Sequence, residues 1–135
     1  MKKLDKRAIL PTRTHTDDAG LDLYAAVDVP YRPGEVFIVP TNVAVAIDKG
    51  YVGLMRDRSS VSKTGLKVTA GVVDAGYTGE MSVVLINLSG LHGCIKAGAK
   101  IAQFIIIPIS LPNVVEVDNL EETERGCKGF GSSGA

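Results

Sequence analysis

Short apolar runs, many of them alternating with a period of two and each closed by a turn signal, leave this chain little to fold into except β-structure. The runs are "LDLYAAV", "EVFIVP", "NVAVAI", "YVGLMR", "LKVTAGVV", "EMSVVLIN", "KIAQFIIIPI" and "NVVEV". Between them stand "YRPGE", "DKG", "LSGLHG", "KAGAK" and "LPN", at the spacing of an all-β sandwich or barrel. Helical character is confined to "SSVSKTG", where Ser59 or Ser60 is placed to cap one or two turns. The expected fold is all-β: a jelly-roll-like sandwich or barrel with at most one short helix and a flexible C-terminal arm. Residues 1–123 form the expected β domain, and the glycine-rich residues 124–135 the mobile arm.

The 135 residues suit one domain, which can bury roughly two thirds of its unfolded surface. Fifteen basic residues balance fifteen acidic ones, which excludes a broad field for nucleic acid or an anionic membrane. An anion must then be met by a local site. The opening "MKKLDKRAIL" never reaches an uninterrupted apolar run, and "FIIIPI" is far below spanning length. No leader peptide or membrane helix is expected, and a cytoplasmic location follows. Cys94 and Cys127 lack metal or redox spacing and read as reduced thiols, and His15 and His92 read as surface residues in polar loops. Phe104 to Ile107 are apolar at successive positions, so both faces of that strand need cover. Burial between subunits would supply it, which predicts an oligomer.

Four segments carry polar residues that a sandwich core does not require. "DDAGLDL" sets Asp22 between Leu21 and Leu23, pointing opposite to them. "DRSS" places Arg58, Ser59 and Ser60 at a strand end, where hydroxyls, amides and a guanidinium can converge on a phosphate. "GVVDAGYTGE" follows two valines with Asp74, a carboxylate suited to act as a base, and then Tyr77. "ERGCKGFGSSG" gathers Arg125, Lys128, Ser132 and Ser133 around Phe130. Taken singly, each has an ordinary reading: a helix cap, a β-turn, a turn anchor or arginine partner, and a linker. Their joint occurrence in this order is what carries information.

"AGLDLYA", "RSS", "GVVDAGYTGE", "GAKIAQF" and "RGCKGFGSSG", in that order, resemble the five motifs of the homotrimeric dUTP pyrophosphatase (dUTPase) family, from roughly Ala19 to Gly134. The resemblance implies cleavage of dUTP to dUMP and pyrophosphate, which keeps uracil out of DNA and supplies dUMP for thymidylate synthesis. It makes Asp74 the base that activates water for attack on the α-phosphorus. Tyr77 would lie under the deoxyribose and exclude a 2′-hydroxyl. Backbone groups of the hairpin from Val68 through Gly71 to Val72 would read uracil. Arg58, Ser59, Ser60 and Gln103 match phosphate contacts. Asp22 matches the aspartate that meets the metal through its bound water, the Mg²⁺ being held mainly by the triphosphate. The arm would close over the nucleotide, with Phe130 stacked on uracil and Arg125, Gly131, Ser132 and Ser133 on the phosphates. Three subunits would share three sites, the arm coming from a subunit other than the one supplying the base.

Three positions depart from the family's commoner pattern. Asp57 stands where glycine or proline is more usual, and a carboxylate there repels phosphate unless it turns away. "CKGF" and "GSSG" replace "GGF" and "GSTG". The nearest rival, a dCTP deaminase, needs a glutamate where this chain has Val84. A nucleotide-binding regulatory module without turnover is a further alternative, and the spare negative charge of Asp74 speaks against it.

Overall fold

The structure, a computed structural model, describes residues 1–129. Eleven strands and one helical turn follow in the order β1 (Lys2–Lys3), β2 (Leu21–Tyr24), β3 (Val29–Tyr31), β4 (Val36–Val39), β5 (Val43–Ala44), β6 (Tyr51–Arg56), α1 (Ser59–Ser62), β7 (Leu66–Val68), β8 (Val72–Val73), β9 (Val83–Asn87), β10 (Gly93–Ile95) and β11 (Lys100–Pro108). A four-stranded sheet, β2-β11-β6-β8, faces a three-stranded one, β4-β9-β7, and two short pairs, β10-β3 and β1-β5, complete the layers. All pairings are antiparallel. The all-β expectation holds in its sandwich form, and the sheets of the described residues do not close into a barrel.

Period-two alternation explains how the sheets pack. Along β9, Val83, Leu85 and Asn87 point inward while Val84 and Ile86 are only half-buried, and β4 buries Phe37 and Val39 while exposing Val36 and Ile38. Their inner faces meet Leu23, Met55, Val73, Ile101 and Phe104 from the larger sheet in one core. Phe104 is fully buried against Gly53 of β6, where any side chain would collide with the phenylalanine ring. That contact fixes how closely β11 and β6 approach.

Three details differ from the sequence expectations. "LKVTAGVV" splits into β7 and β8, each belonging to a different sheet, with the connection crossing between layers. "NVVEV" forms no strand: no other strand of the described chain lies beside it, and Val114, Val115 and Val117 are exposed. The helical turn is capped neither by Ser59 nor by Ser60, because Arg58, extended at φ −95° and ψ 126°, occupies the N-cap without a side-chain capping bond. After Pro108 the described chain has no helix or strand, and every residue from Ile109 to residue 129 is exposed.

Candidate active site

The larger sheet positions two separate clusters, one at each edge. β11 pairs with β2 through Gln103 opposite Asp22 and with β6 through Gln103 opposite Arg56, so one glutamine stands between the first-motif aspartate and the end of β6. Two residues beyond Arg56, Arg58 turns toward β2. Its Nε donates to Asp22 Oδ1 at 3.0 Å and its Nη1 to Ser60 Oγ at 2.5 Å. Lys100 Nζ lies 2.7 Å from the other oxygen, Asp22 Oδ2. A bulge between Lys100 and Ala102 explains how Lys100 and Gln103 both address Asp22. Three residues apart on a regular strand they would face opposite ways, and the extra residue restores the same side.

Asp22 is 4% exposed, and its charge survives because it is paired. Burial is the largest influence on it and opposes ionisation. Hydrogen bonds from Lys100 and Arg58 together outweigh burial and hold its pKa below the ordinary carboxylate value. Lys100 moves the opposite way, its pKa raised chiefly by the same bond. The cluster opens on a cavity of about 410 Å³ lined by Thr14, His15, Asp18, Ala19, Gly20, Asp22, Arg58 and Gln103. Gly20 packs closely there, since a Cβ would stand 3.0 Å from Gln103 Cβ and press on that side chain. Of the residues singled out in the sequence, Asp22, Arg58 and Gln103 line this cavity and Ser60 is bonded to Arg58, whereas Lys100 as a partner of Asp22 and Thr14, His15 and Asp18 as lining were not foreseen. His15 is exposed as expected, yet its loop folds over the cavity because its backbone N–H is held by Asp18 Oδ2 at 2.8 Å. Nothing in the local sequence announces a bulge or that loop contact.

The second cluster lies at the other edge of the sheet. β8 pairs with β6 through Gly53–Val73 and Leu54–Val72, and Met55 N–H donates to Gly71 O at 2.7 Å. Asp74 follows directly and is exposed. Gly71 can be no larger residue, because a Cβ would lie 2.6 Å from Met55 O. A tight turn after Asp74, closed by Tyr77 N–H donating to Asp74 O at 3.0 Å, brings the tyrosine back to the cavity that Asp74 lines. Tyr77 Oη donates to Glu80 O at 2.9 Å, which leaves the face of the ring half-exposed. Gly71, Asp74 and Tyr77, with Met55, Val72 and Met81 among others, line a cavity of about 480 Å³.

Val68 stands apart from that cavity. Its backbone N–H, expected to take part in base reading, is already donated to Asp57 Oδ1 at 2.7 Å. Asp57 has therefore turned away from Arg58, as a carboxylate beside a phosphate site must. Ser59 is exposed in the first turn of α1. Arg125 is exposed, its Nε bonded to Lys128 O at 3.2 Å within a local turn. Phe130, Gly131, Ser132 and Ser133 lie outside the described residues.

Among the described residues no group of three or more His, Cys, Asp or Glu could hold a metal ion. Asp22 and Asp18 line one cavity without forming a cage, a donor set that fits a cation arriving on a phosphate chain and keeping its waters. No helix among the described residues is long and apolar enough to cross a membrane.

The family model described as dUTPase matches residues 6–134. A deoxyuridine 5'-triphosphate nucleotidohydrolase of Mycolicibacterium gilvum is 48% identical, covering 98% of this chain and 92% of that protein. One from Arabidopsis thaliana is 42% identical, covering 99% and 81%. Among solved structures, the dUTPase of Staphylococcus bacteriophage 80alpha with dUPNHPP superposes with a TM-score of 0.91 at 36% identity, covering 99% of this chain and 96% of that one. A variant dUTPase from phage phi11 of S. aureus, described as revealing the coordination of a structural Mg(II) ion, gives 0.82 at 32% identity over 90% and 97%. With the family model matching nearly the whole of this chain and the fold shared, the chain belongs to the dUTPase family.

Proposed function

We propose that the chain hydrolyses dUTP to dUMP and pyrophosphate, with Asp74 accepting a proton from the water that attacks the α-phosphorus. The observation that carries this reading is the grouping of a free carboxylate, a half-exposed tyrosine face and a glycine-edged hairpin around one cavity. Backbone groups between Thr69 and Val72 read the uracil, Tyr77 packs against the deoxyribose where a 2′-hydroxyl would sit, and Asp74 orients the water. Arg58, held at Nε and Nη1, keeps Nη2 free of hydrogen bonds among the described residues, and with Ser59, Ser60 and Gln103 it receives the phosphates. Mg²⁺ arriving with the nucleotide would supply charge neutralisation for a triphosphate of about four negative charges. Asp22 keeps Arg58 and Lys100 in place and would hold the cation only by way of its bound water. Arg125, Phe130, Gly131, Ser132 and Ser133, in an arm formed by residues 124–135, close the site.

Asp74 follows the Gly53–Val73 pair beside the start of β6, whereas Arg58 lies beyond that strand's far end and turns to Asp22 on β2, so roughly 20 Å of strand length separates base and cradle within a chain. Each chain thus carries two half-sites, and a neighbouring copy completes each one. Exposed Ile106, Ile107 and Ile109 at the end of β11, continued by Leu111, Val114 and Val115, support the same conclusion. The assembly is a homotrimer, and the reaction is cytoplasmic. Deamination is disfavoured because Val84, opposite Ile38, offers no group to carry a proton.

The test is incubation of the protein and Mg²⁺ with dUTP, UTP, dCTP and dTTP separately. Conversion of dUTP alone to dUMP and pyrophosphate is expected. Consumption of dCTP, or binding of dUTP without turnover, would overturn the reading.

A further inference from the structure

The hairpin between Val68 and Val72 is anchored to two different layers. Its first leg belongs to the smaller sheet: Val68 pairs with Leu85, and Thr69 N–H donates to Val84 O at 3.0 Å. Its second leg belongs to the larger sheet, through Met55 N–H on Gly71 O and the pairing of Val72 with Leu54. Thr69 and Ala70 cross the gap between layers, and a crossing of that kind has no ladder of its own to set its width. One side chain spans it directly. Asp57, leaving the end of β6, accepts the Val68 N–H at 2.7 Å, on the edge of β7 that β9 does not use. Lys67 Nζ stands 3.8 Å from the other Asp57 oxygen, at a mostly exposed site where the attraction is weak. The charge-assisted hydrogen bond is the stronger of the two ties. Beside it lies a small cavity of about 140 Å³ lined by Met55, Arg56, Asp57, Lys67 and Val68.

We infer that Asp57 is a positioning residue for pyrimidine recognition: by clasping the Val68 amide it sets the separation of the hairpin's two legs and so the placement of the groups facing the base. This rests on the proposed reading of the 480 Å³ cavity as the nucleoside site. The carboxylate touches neither base nor phosphate. It acts through Val68, and any residue whose side chain offers an acceptor oxygen at the same position keeps the tie.

Asp57→Ala and Asp57→Asn are compared with the parent as full chains. For Asp57→Ala, KM for dUTP and Kd for dUMP are expected to rise about tenfold, with kcat within about threefold and the preference for dUTP over dCTP reduced. Asp57→Asn, which retains Oδ1, is expected to stay within about threefold of the parent in all of these. Amide hydrogen exchange supplies an independent readout, with Thr69 as internal reference for an intact β7–β9 ladder. In the parent the Val68 amide is expected to be as protected as that of Thr69. In Asp57→Ala, Val68 alone is expected to exchange at least about tenfold faster. An Asp57→Ala KM within twofold of the parent, an Asp57→Asn as impaired as Asp57→Ala, or an unprotected Val68 amide in the parent would each overturn the inference. A parent that turns over no dUTP would instead overturn the functional reading, while the exchange measurement would still report on the clasp.

Discussion

Two carboxylates of this chain show how environment, not residue type, divides roles. Asp74 is exposed beside a tyrosine with no side-chain partner among the described residues, whereas Asp22 is buried between two cations. Asp74→Asn removes the proton acceptor and a negative charge near the phosphates. Nucleotide binding is therefore expected to persist or tighten while kcat falls by at least about 100-fold, checked by steady-state kinetics beside calorimetric titration with dUMP. Asp22 gives a pH prediction whose sign follows from its lowered pKa. The stability it contributes is complete above the ordinary carboxylate range near pH 4 and is lost as pH falls through the lower, folded value. Asp22→Asn leaves Arg58 and Lys100 uncompensated. Both are nearly a third exposed, so a cost of about 2 kcal/mol is expected above pH 5 rather than the larger figure of a fully buried pair. Urea unfolding of both proteins at pH 6 and pH 3 checks this, and the gap between them should narrow at the lower pH. That Asp22 would pair with an arginine was readable as one of two options; that a lysine would take its second oxygen was not, because the bulge at Ile101 that turns Lys100 inward leaves no mark in the residue pattern.

Elements here are short, and most gain their meaning from what they pair with. β8 has two residues, yet it carries Asp74 because Gly71 lets the chain press against Met55 O. Alternation made β4, β6 and β9 legible, since each has one face in the core and one outside. "LKVTAGVV" read as a single run because periodicity records burial and not which sheet provides it. "NVVEV" read as a strand for the same reason, although a strand needs a neighbour for its amides as well as the pattern. The arm is the element on which catalysis in the proposed reading most depends while the fold depends on it least. From Ile109 onward the described residues are all exposed, so among the described residues truncation after Glu124 removes no core contact. The truncated protein is expected to keep its melting temperature within about 2 °C and its oligomeric state, while kcat/KM for dUTP falls by at least about 100-fold. Calorimetry, light scattering and kinetics on the same preparation check the three parts.

At the scale of the whole molecule, the separation of base and cradle at opposite ends of β6 makes a mixing experiment decisive. Asp74→Asn and Arg58→Ala are each expected to be inactive as pure proteins. After subunit exchange of equal amounts, hybrid trimers combine an intact Asp74 from one chain with an intact Arg58 from another, restoring about one site in four. No restoration would mean that one chain supplies both residues to a site. The sequence by itself determined the β class, through alternation that can bury only one face of a pleated strand, and the family, through motif residues whose identity is set by the chemistry they perform. It also marked "FIIIPI" as needing cover, and its outer isoleucines are exposed on the isolated chain. Tertiary structure alone decided which residues share a cavity: that Asp57 turns from Arg58 to the Val68 amide, that Lys100 and Arg58 divide one carboxylate, and that Asp74 and Arg58 face different edges. Those outcomes follow from strand order and register. They bring together residues 11, 36 and 78 positions apart in the chain, and no local pattern encodes a distance of that kind.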